Sequence, residues 1–206
     1  MEAYEIPSDK VNLNYLLWQK KLDKYGCYSD SLIEELGDKL RDSAYSLTIE
    51  QGGAYQGAMI DICLNTLCRI GFDINRLALG ANENNTYRHP YLSVNQDMLM
   101  KVLLLQHISK AEIFVPETEQ WRQKNGYNYK FNDESQTMLR TGERSIYLCM
   151  KYGIKLNELE FEAMRIIDKD DAQINYLHLN PLSCLVKMVN HLATIEIRER
   201  VKSLNV

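Results

Sequence analysis

Residues 93–108 read Ser93-Val94-Asn95-Gln96-Asp97-Met98-Leu99-Met100-Lys101-Val102-Leu103-Leu104-Leu105-Gln106-His107-Ile108. Ser93 and Gln96 have the spacing of a capping box, in which two side chains satisfy backbone N–H groups at a helix start. Met98, Val102, Leu105 and Ile108 then recur every three or four residues, which places them on one helical stripe. Leu103 and Leu104 make the segment apolar on nearly all sides. A helix of that kind must be surrounded by others, so this stretch predicts a central helix and a mainly helical fold.

Working back from it, Val11, Tyr15, Trp18, Leu22 and Tyr25 form a first stripe that Gly26 ends. Ser31 with Glu34 forms a second capping box, and Ile33, Leu36, Leu40 and Ala44 extend a helix over 31–46. Gly52-Gly53 breaks the chain before a third stripe, Met59, Ile62, Cys63, Leu67 and Ile70, which Gly71 stops. Residues 73–92, with the polar run Ala81–Thr86, read as a long surface loop. Residues 1–10, with Pro7 and Ser8 near their end, read as an arm.

Working forward, Ile113–Pro116 and Tyr127–Phe131 flank Gln120–Lys124 and Asn125-Gly126. Alternation around that Asn-Gly predicts a β-hairpin insertion over 112–132 with a type I′ turn. Asp133, facing Gln136, caps a helix through Ile146, Cys149 and Met150 that Gly153 ends. Asn157 and Glu160 form another capping box, with Leu156 and Phe161 at the positions of a hydrophobic staple. Asn180 as cap and Pro181 as first residue open a last helix through Leu182, Leu185, Val186, Val189, Leu192 and Ala193, which gives way to a charged tail at Glu196–Lys202. The expectation is one all-α domain over 11–206 with a small β-hairpin.

The composition limits what such a domain does. With 24 Lys+Arg against 28 Asp+Glu over 206 residues, the net charge is -4. The pI is near 5.6 and no basic cluster exceeds a pair, so nucleic acid is disfavoured as a partner. Apolar runs such as Val102–Leu105 fall far short of the ~20 residues of a membrane span, and Met1–Pro7 lacks the basic and apolar regions of a signal peptide. A cytoplasmic location without membrane contact is expected. Cys27, Cys63, Cys68, Cys149 and Cys184 make no CxxC pair and read as reduced, mostly buried thiols.

Chemistry-bearing patterns are few. The chain has no GxxxxGK[ST] loop, no GxGxxG after a strand and no GxSxG elbow. His89, His107, His178 and His191 share no HExxH frame, and His107, inside the apolar helix, is the one to examine. His89 beside Pro90 reads as a turn residue, and His191 beside Asn190 as part of a polar face. Asp168-Lys169-Asp170-Asp171 lacks the spacing of a calcium loop and reads as solvated. Tyr127, Tyr129 and Phe131 form an aromatic stripe with no basic company, suited to packing or partner contact rather than to base stacking.

The order of elements resembles the helical HD-domain metal-dependent phosphohydrolases, especially small bacterial and phage versions, over about residues 30–200. Gly53–Thr66 is similar to the family's GAYEGGLLEHSLNV, with Asp61 at the His. Leu104–Lys110 is similar to LLHDLCKI, with Gln106 and His107 at the naming His-Asp pair. Gly142–Leu148 resembles HGE…SVYLL, preceded by Thr141 where the family has His. Ala163–Ile167 resembles AIRWH, ending in Ile167 instead of His, and Leu185–Thr194 resembles LLHIADLMAT, with Asn190 at the metal-binding Asp.

The resemblance implies an HD-like helical domain whose metal ligands would stand at Asp61, Gln106, His107, Thr141, Ile167 and Asn190. Only Asp61 and His107 retain a ligand side chain, so these positions imply a vestigial pocket, with no catalytic residue, metal or cofactor. The functional expectation is a non-catalytic structural or interaction protein, engaging protein partners or forming a homo-oligomer, in a bacteriophage virion or assembly setting. The alternatives are a metal-dependent phosphohydrolase rearranged around Asp61 and His107, with His191 nearby, and a pseudoenzyme that binds a nucleotide.

Overall fold

A computed structural model describes residues 5–78, 94–134, 139–174 and 178–204. The fold is mainly helical with one small antiparallel strand pair, as the periodicity predicts. Helix α1 spans Ser8–Lys24 and buries Val11, Asn14, Trp18 and Leu22. It therefore begins inside the segment expected to be an arm, with Pro7 fixing the extended residue before it. Gly26 follows it with a φ of 63°, a conformation that costs glycine little.

Helix α2 spans Asp30–Asp42 rather than 31–46. Its cap is Ser29, whose Oγ accepts from Leu32 N at 3.4 Å, while Ser31 only bonds the Ser29 hydroxyl. The third stripe becomes α3 (Ala58–Ile62), one π-helical turn (Cys63–Leu67) and α4 (Cys68–Ala78). Gly71 lies inside α4 instead of ending it. A Cβ there would meet Leu103 Cδ1 at 2.5 Å, so the glycine serves close helix packing. Residues 73–78 accordingly belong to a helix, while the run Ala81–Thr86, His89 and Ser93 lie outside the described residues.

Helix α5 (Gln96–Leu105) is capped by Asn95, which accepts from Asp97 N and Met98 N at 2.9 and 3.1 Å. It is as central as its sequence requires: Leu99, Met100, Val102, Leu103, Leu104 and Leu105 are all buried. The chain tightens through Gln106–Ser109 into α6 (Lys110–Ile113). The indole N–H of Trp18 donates to Leu104 O at 3.2 Å, which ties α1 to the end of α5.

Strand β1 (Phe114–Pro116) pairs with β2 (Tyr129–Phe131) in the register Phe114↔Phe131, Val115↔Lys130 and Pro116↔Tyr129. The expected type I′ turn does not form. A short helix, α7 (Gln120–Lys124), occupies the connection, and Asn125-Gly126 closes that helix, with Gly126 at φ 82°. Glu117 explains this: its carboxylate accepts from Thr118 N and Glu119 N and pairs with Arg122, so it organises the helix start. In the aromatic stripe Phe131 is 60% and Tyr127 38% exposed, so it forms a cross-strand surface contact and not core.

Helix α8 covers Thr141–Lys151, starting later than a cap at Asp133 would place it; Gln136 is outside the described residues. Helix α9 covers Glu158–Arg165. The Asn157–Glu160 capping box is present, with both bonds at 2.9 Å, although Phe161 faces solvent instead of stapling. Helix α10 runs Pro181–Leu204, capped by Asn180 Oδ1 accepting from Ser183 N. The supposed charged tail is helix, because Ile197 and Val201 still face the core. Leu182, Leu185, Val186, Val189 and Ala193 of α10 complete one continuous core with α1 to α5, α8 and α9.

All five cysteines are free, four of them buried, and burial raises the thiols of Cys27 and Cys149 to about 12. Among the described residues no helix is long and apolar enough to cross a membrane.

Candidate functional site

Three of the six positions singled out by the resemblance meet. Gln106 and His107 sit where α5 tightens toward α6, and Asn190 faces them from α10. Asn190 Nδ2 donates to Gln106 Oε1 at 2.9 Å and to Val186 O at 2.8 Å, so its Oδ1 must point the other way. That oxygen lies 3.2 Å from His107 Nε2, which is also 3.2 Å from the Tyr45 hydroxyl.

These contacts fix the tautomer. An amide oxygen only accepts, so His107 Nε2 carries the proton. Burial, then the Lys110 charge, push the imidazole well below its ordinary 6.5, against a weaker opposing effect of the Asn190 bond. His107 is thus neutral, and its bare Nδ1 has no partner. Gln106 Nε2 is a second buried atom without a partner, here a donor.

Two members of this centre stand outside the six singled-out positions. Lys110 Nζ donates to Tyr45 O at 2.6 Å and lies 3.5 Å from the centre of the Tyr45 ring, a cation–π contact. Burial pushes this ammonium down to about 7, against the attraction of Asp168. Tyr45 is raised by its own burial, and its ring meets His107 edge-on at 5.0 Å. A sequence signal for Lys110 did exist: it stands at the lysine of the LLHDLCKI pattern that Leu104–Lys110 resembles.

The other positions fall elsewhere. Asp61, 2% exposed, accepts from Tyr55 Oη at 2.7 Å, Asn65 Nδ2 at 2.8 Å and Asn14 Nδ2 at 3.0 Å, with Arg200 at 3.7 Å. None of these partners also bonds His107. Thr141 contributes its carbonyl, which accepts from Ser109 Oγ at 2.8 Å. Ile167 packs on the core beside Gly142. His191 and His178 are exposed, so His191 does not face His107. Asp168, from the acidic run, accepts from Gly142 N at 2.7 Å and so caps α8.

This donor set does not fit a divalent cation. Such an ion needs several anionic or lone-pair ligands around one point. The centre offers one bare imidazole nitrogen, a buried unpartnered amide N–H and a nearby ammonium. Among the described residues no three His, Cys, Asp or Glu side chains come together as a metal site. A groove of about 630 Å³ opens beside β1, lined by Asp42, Glu112, Phe114, Tyr129 and Arg144, without His107 or Asn190.

No family model matches this chain, and neither a curated protein nor a solved structure is significantly similar to it.

Proposed function

We propose that the chain is a non-catalytic interaction or structural protein, whose centre at Gln106, His107 and Asn190 serves packing and not hydrolysis. The observation that carries this reading is the closed set of neutral hydrogen bonds at the matched ligand positions, where Asn190 bridges Gln106 and His107 and a phosphohydrolase would need a cation-attracting cluster. The amides support it, because Gln106 Oε1 accepts from Asn190 Nδ2 and Asn190 Oδ1 from His107 Nε2, so both oxygens that could face an ion are engaged within the protein. The finer form of the proposal is the setting that the resemblance suggests, a bacteriophage virion or assembly component.

Elemental analysis of gently purified protein, with an assay on phosphate esters, tests the proposal. Substoichiometric Mn, Fe, Zn and Mg and no hydrolysis above background are expected. Stoichiometric metal that disappears in His107→Ala or Asp61→Ala overturns it in favour of a rearranged phosphohydrolase. A nucleotide-dependent rise in melting temperature that His107→Ala abolishes overturns it in favour of a nucleotide-binding pseudoenzyme.

A further inference from the structure

Helix α1 buries Val11, Asn14, Trp18 and Leu22, yet its opposite face is also apolar. Leu13, Leu16 and Leu17 are 56%, 54% and 42% exposed and adjoin one another on the surface. Asp9, Lys10, Lys20, Asp23 and Lys24 are exposed around them. Among the described residues none of these five charges enters an ion pair.

The order of these charges is informative. Asp9-Lys10 recurs as Asp23-Lys24, fourteen residues later. Two heptads return to the same side of a helix, so identical acid–base pairs bracket the leucines at both ends.

We propose that this face joins two copies of the chain, packed antiparallel about a two-fold axis between Leu16 and Leu17. Residues whose numbers sum to 33 then stand opposite one another. Leu16 meets Leu17, and Leu13 meets the aliphatic stem of Lys20. Asp9 meets Lys24 and Lys10 meets Asp23, each twice by symmetry. Parallel packing would instead set Lys10 against Lys10 and Lys24 against Lys24. Both signs alternate at each end of the face in an order that complements itself when reversed, and a second copy is the occupant that this order matches.

A single helix face about 25 Å long and ~10 Å wide covers well under the ~800 Å² per partner of a standard stable interface. The dimer is therefore reversible and concentration-dependent. It does not depend on whether the His107 centre is catalytic.

Sedimentation velocity on the full chain, over about a hundredfold range of concentration, is the test. The mass should rise from 24.0 kDa toward twice that value. The double variant Leu16→Glu, Leu17→Glu should stay monomeric with unchanged helical circular dichroism and melting. Asp23→Lys should weaken the dimer about tenfold, and adding Lys10→Asp should restore it, since the opposing pair is re-formed with its signs exchanged. A wild-type chain that is monomeric throughout overturns the proposal, as does a dimer indifferent to the leucine variant. Failure of the second charge reversal to restore a folded Asp23→Lys variant overturns the antiparallel arrangement. Leucine-dependent binding of a monomeric chain to phosphatidylserine vesicles would reassign the face to a lipid surface.

Discussion

Asn190 Nδ2 donates to Gln106 Oε1 across 2.9 Å, and this contact between α10 and the end of α5 sets the polarity of everything around it. It turns Asn190 Oδ1 toward His107, places the proton on Nε2 and leaves Nδ1 bare. A buried imidazole held in that state is a neutral structural donor through Nε2 whose Nδ1 is unpartnered, which leads to measurable consequences for stability.

Lys110 should make stability depend on pH above neutrality. Its folded value of about 7 lies below the ordinary 10.5, so between those values the unfolded chain binds more protons and stability rises with pH. The rise amounts to as much as about 4 kcal/mol across the window, at ~1.36 kcal/mol per unit. Lys110→Met should lack it and be about 1–3 kcal/mol more stable than wild type at pH 7. Urea unfolding of both proteins from pH 7 to 9.5 would show it, and parallel curves would refute the assignment.

His107 acts in a lower window with the same sign. Its folded value is depressed below 6.5, so as pH falls through 6.5 the unfolded imidazole takes up a proton that the folded one refuses, and stability drops. His107→Phe should flatten the profile between pH 6.5 and 5, read from melting temperatures in matched buffers.

Asp61 should matter for stability alone. Its oxygens accept from Tyr55, Asn65 and Asn14, and Asp61→Asn would turn an amide donor toward donors. A loss of about 3 kcal/mol is expected, with no change in metal content. A variant as stable as wild type would show that this cluster is not tightly held.

Gly142 separates crowding from backbone conformation. A Cβ there would meet Met164 O at 2.1 Å, whereas Gly153, at φ 73°, has nothing within 4 Å. Gly142→Ala should cost about 3 kcal/mol through displacement of α8 from α9, and Gly153→Ala about 1 kcal/mol. The reverse ranking in chemical denaturation would contradict the packing.

The two serines before α2 provide a local test. Ser29→Ala should lose about 1 kcal/mol as the cap, while Ser31→Ala should change stability by less than about 0.5 kcal/mol. Equal effects would restore the capping box read from Ser31 and Glu34.

Features decided locally could be read from the sequence. The stripe of α5 is buried because its residues leave it no polar side, and Asn157–Glu160 and Asn180-Pro181 cap helices through bonds spanning three residues. Errors arose where one residue type serves two physical ends. Gly71 looks like a helix stop, but it lacks a Cβ so that Leu103 can approach. Asn125-Gly126 looks like a hairpin turn, but Glu117 had already committed the preceding residues to a helix. The centre was half legible: Gln106, His107 and Asn190 were named, whereas Tyr45 lies 62 positions from His107 and joins it only through tertiary packing.

The 24 residues of α10 have a consequence in time. This helix supplies Leu182, Leu185, Val186, Val189, Ala193 and Ile197 to the core and touches α4, α5 and α9, all made before it. During synthesis those earlier helices emerge with their inner faces still uncovered, and no local rearrangement among them supplies the missing side chains. The nascent chain thus spends the interval before α10 emerges in a sticky, incompletely closed form, when competition from aggregation or chaperone capture is greatest.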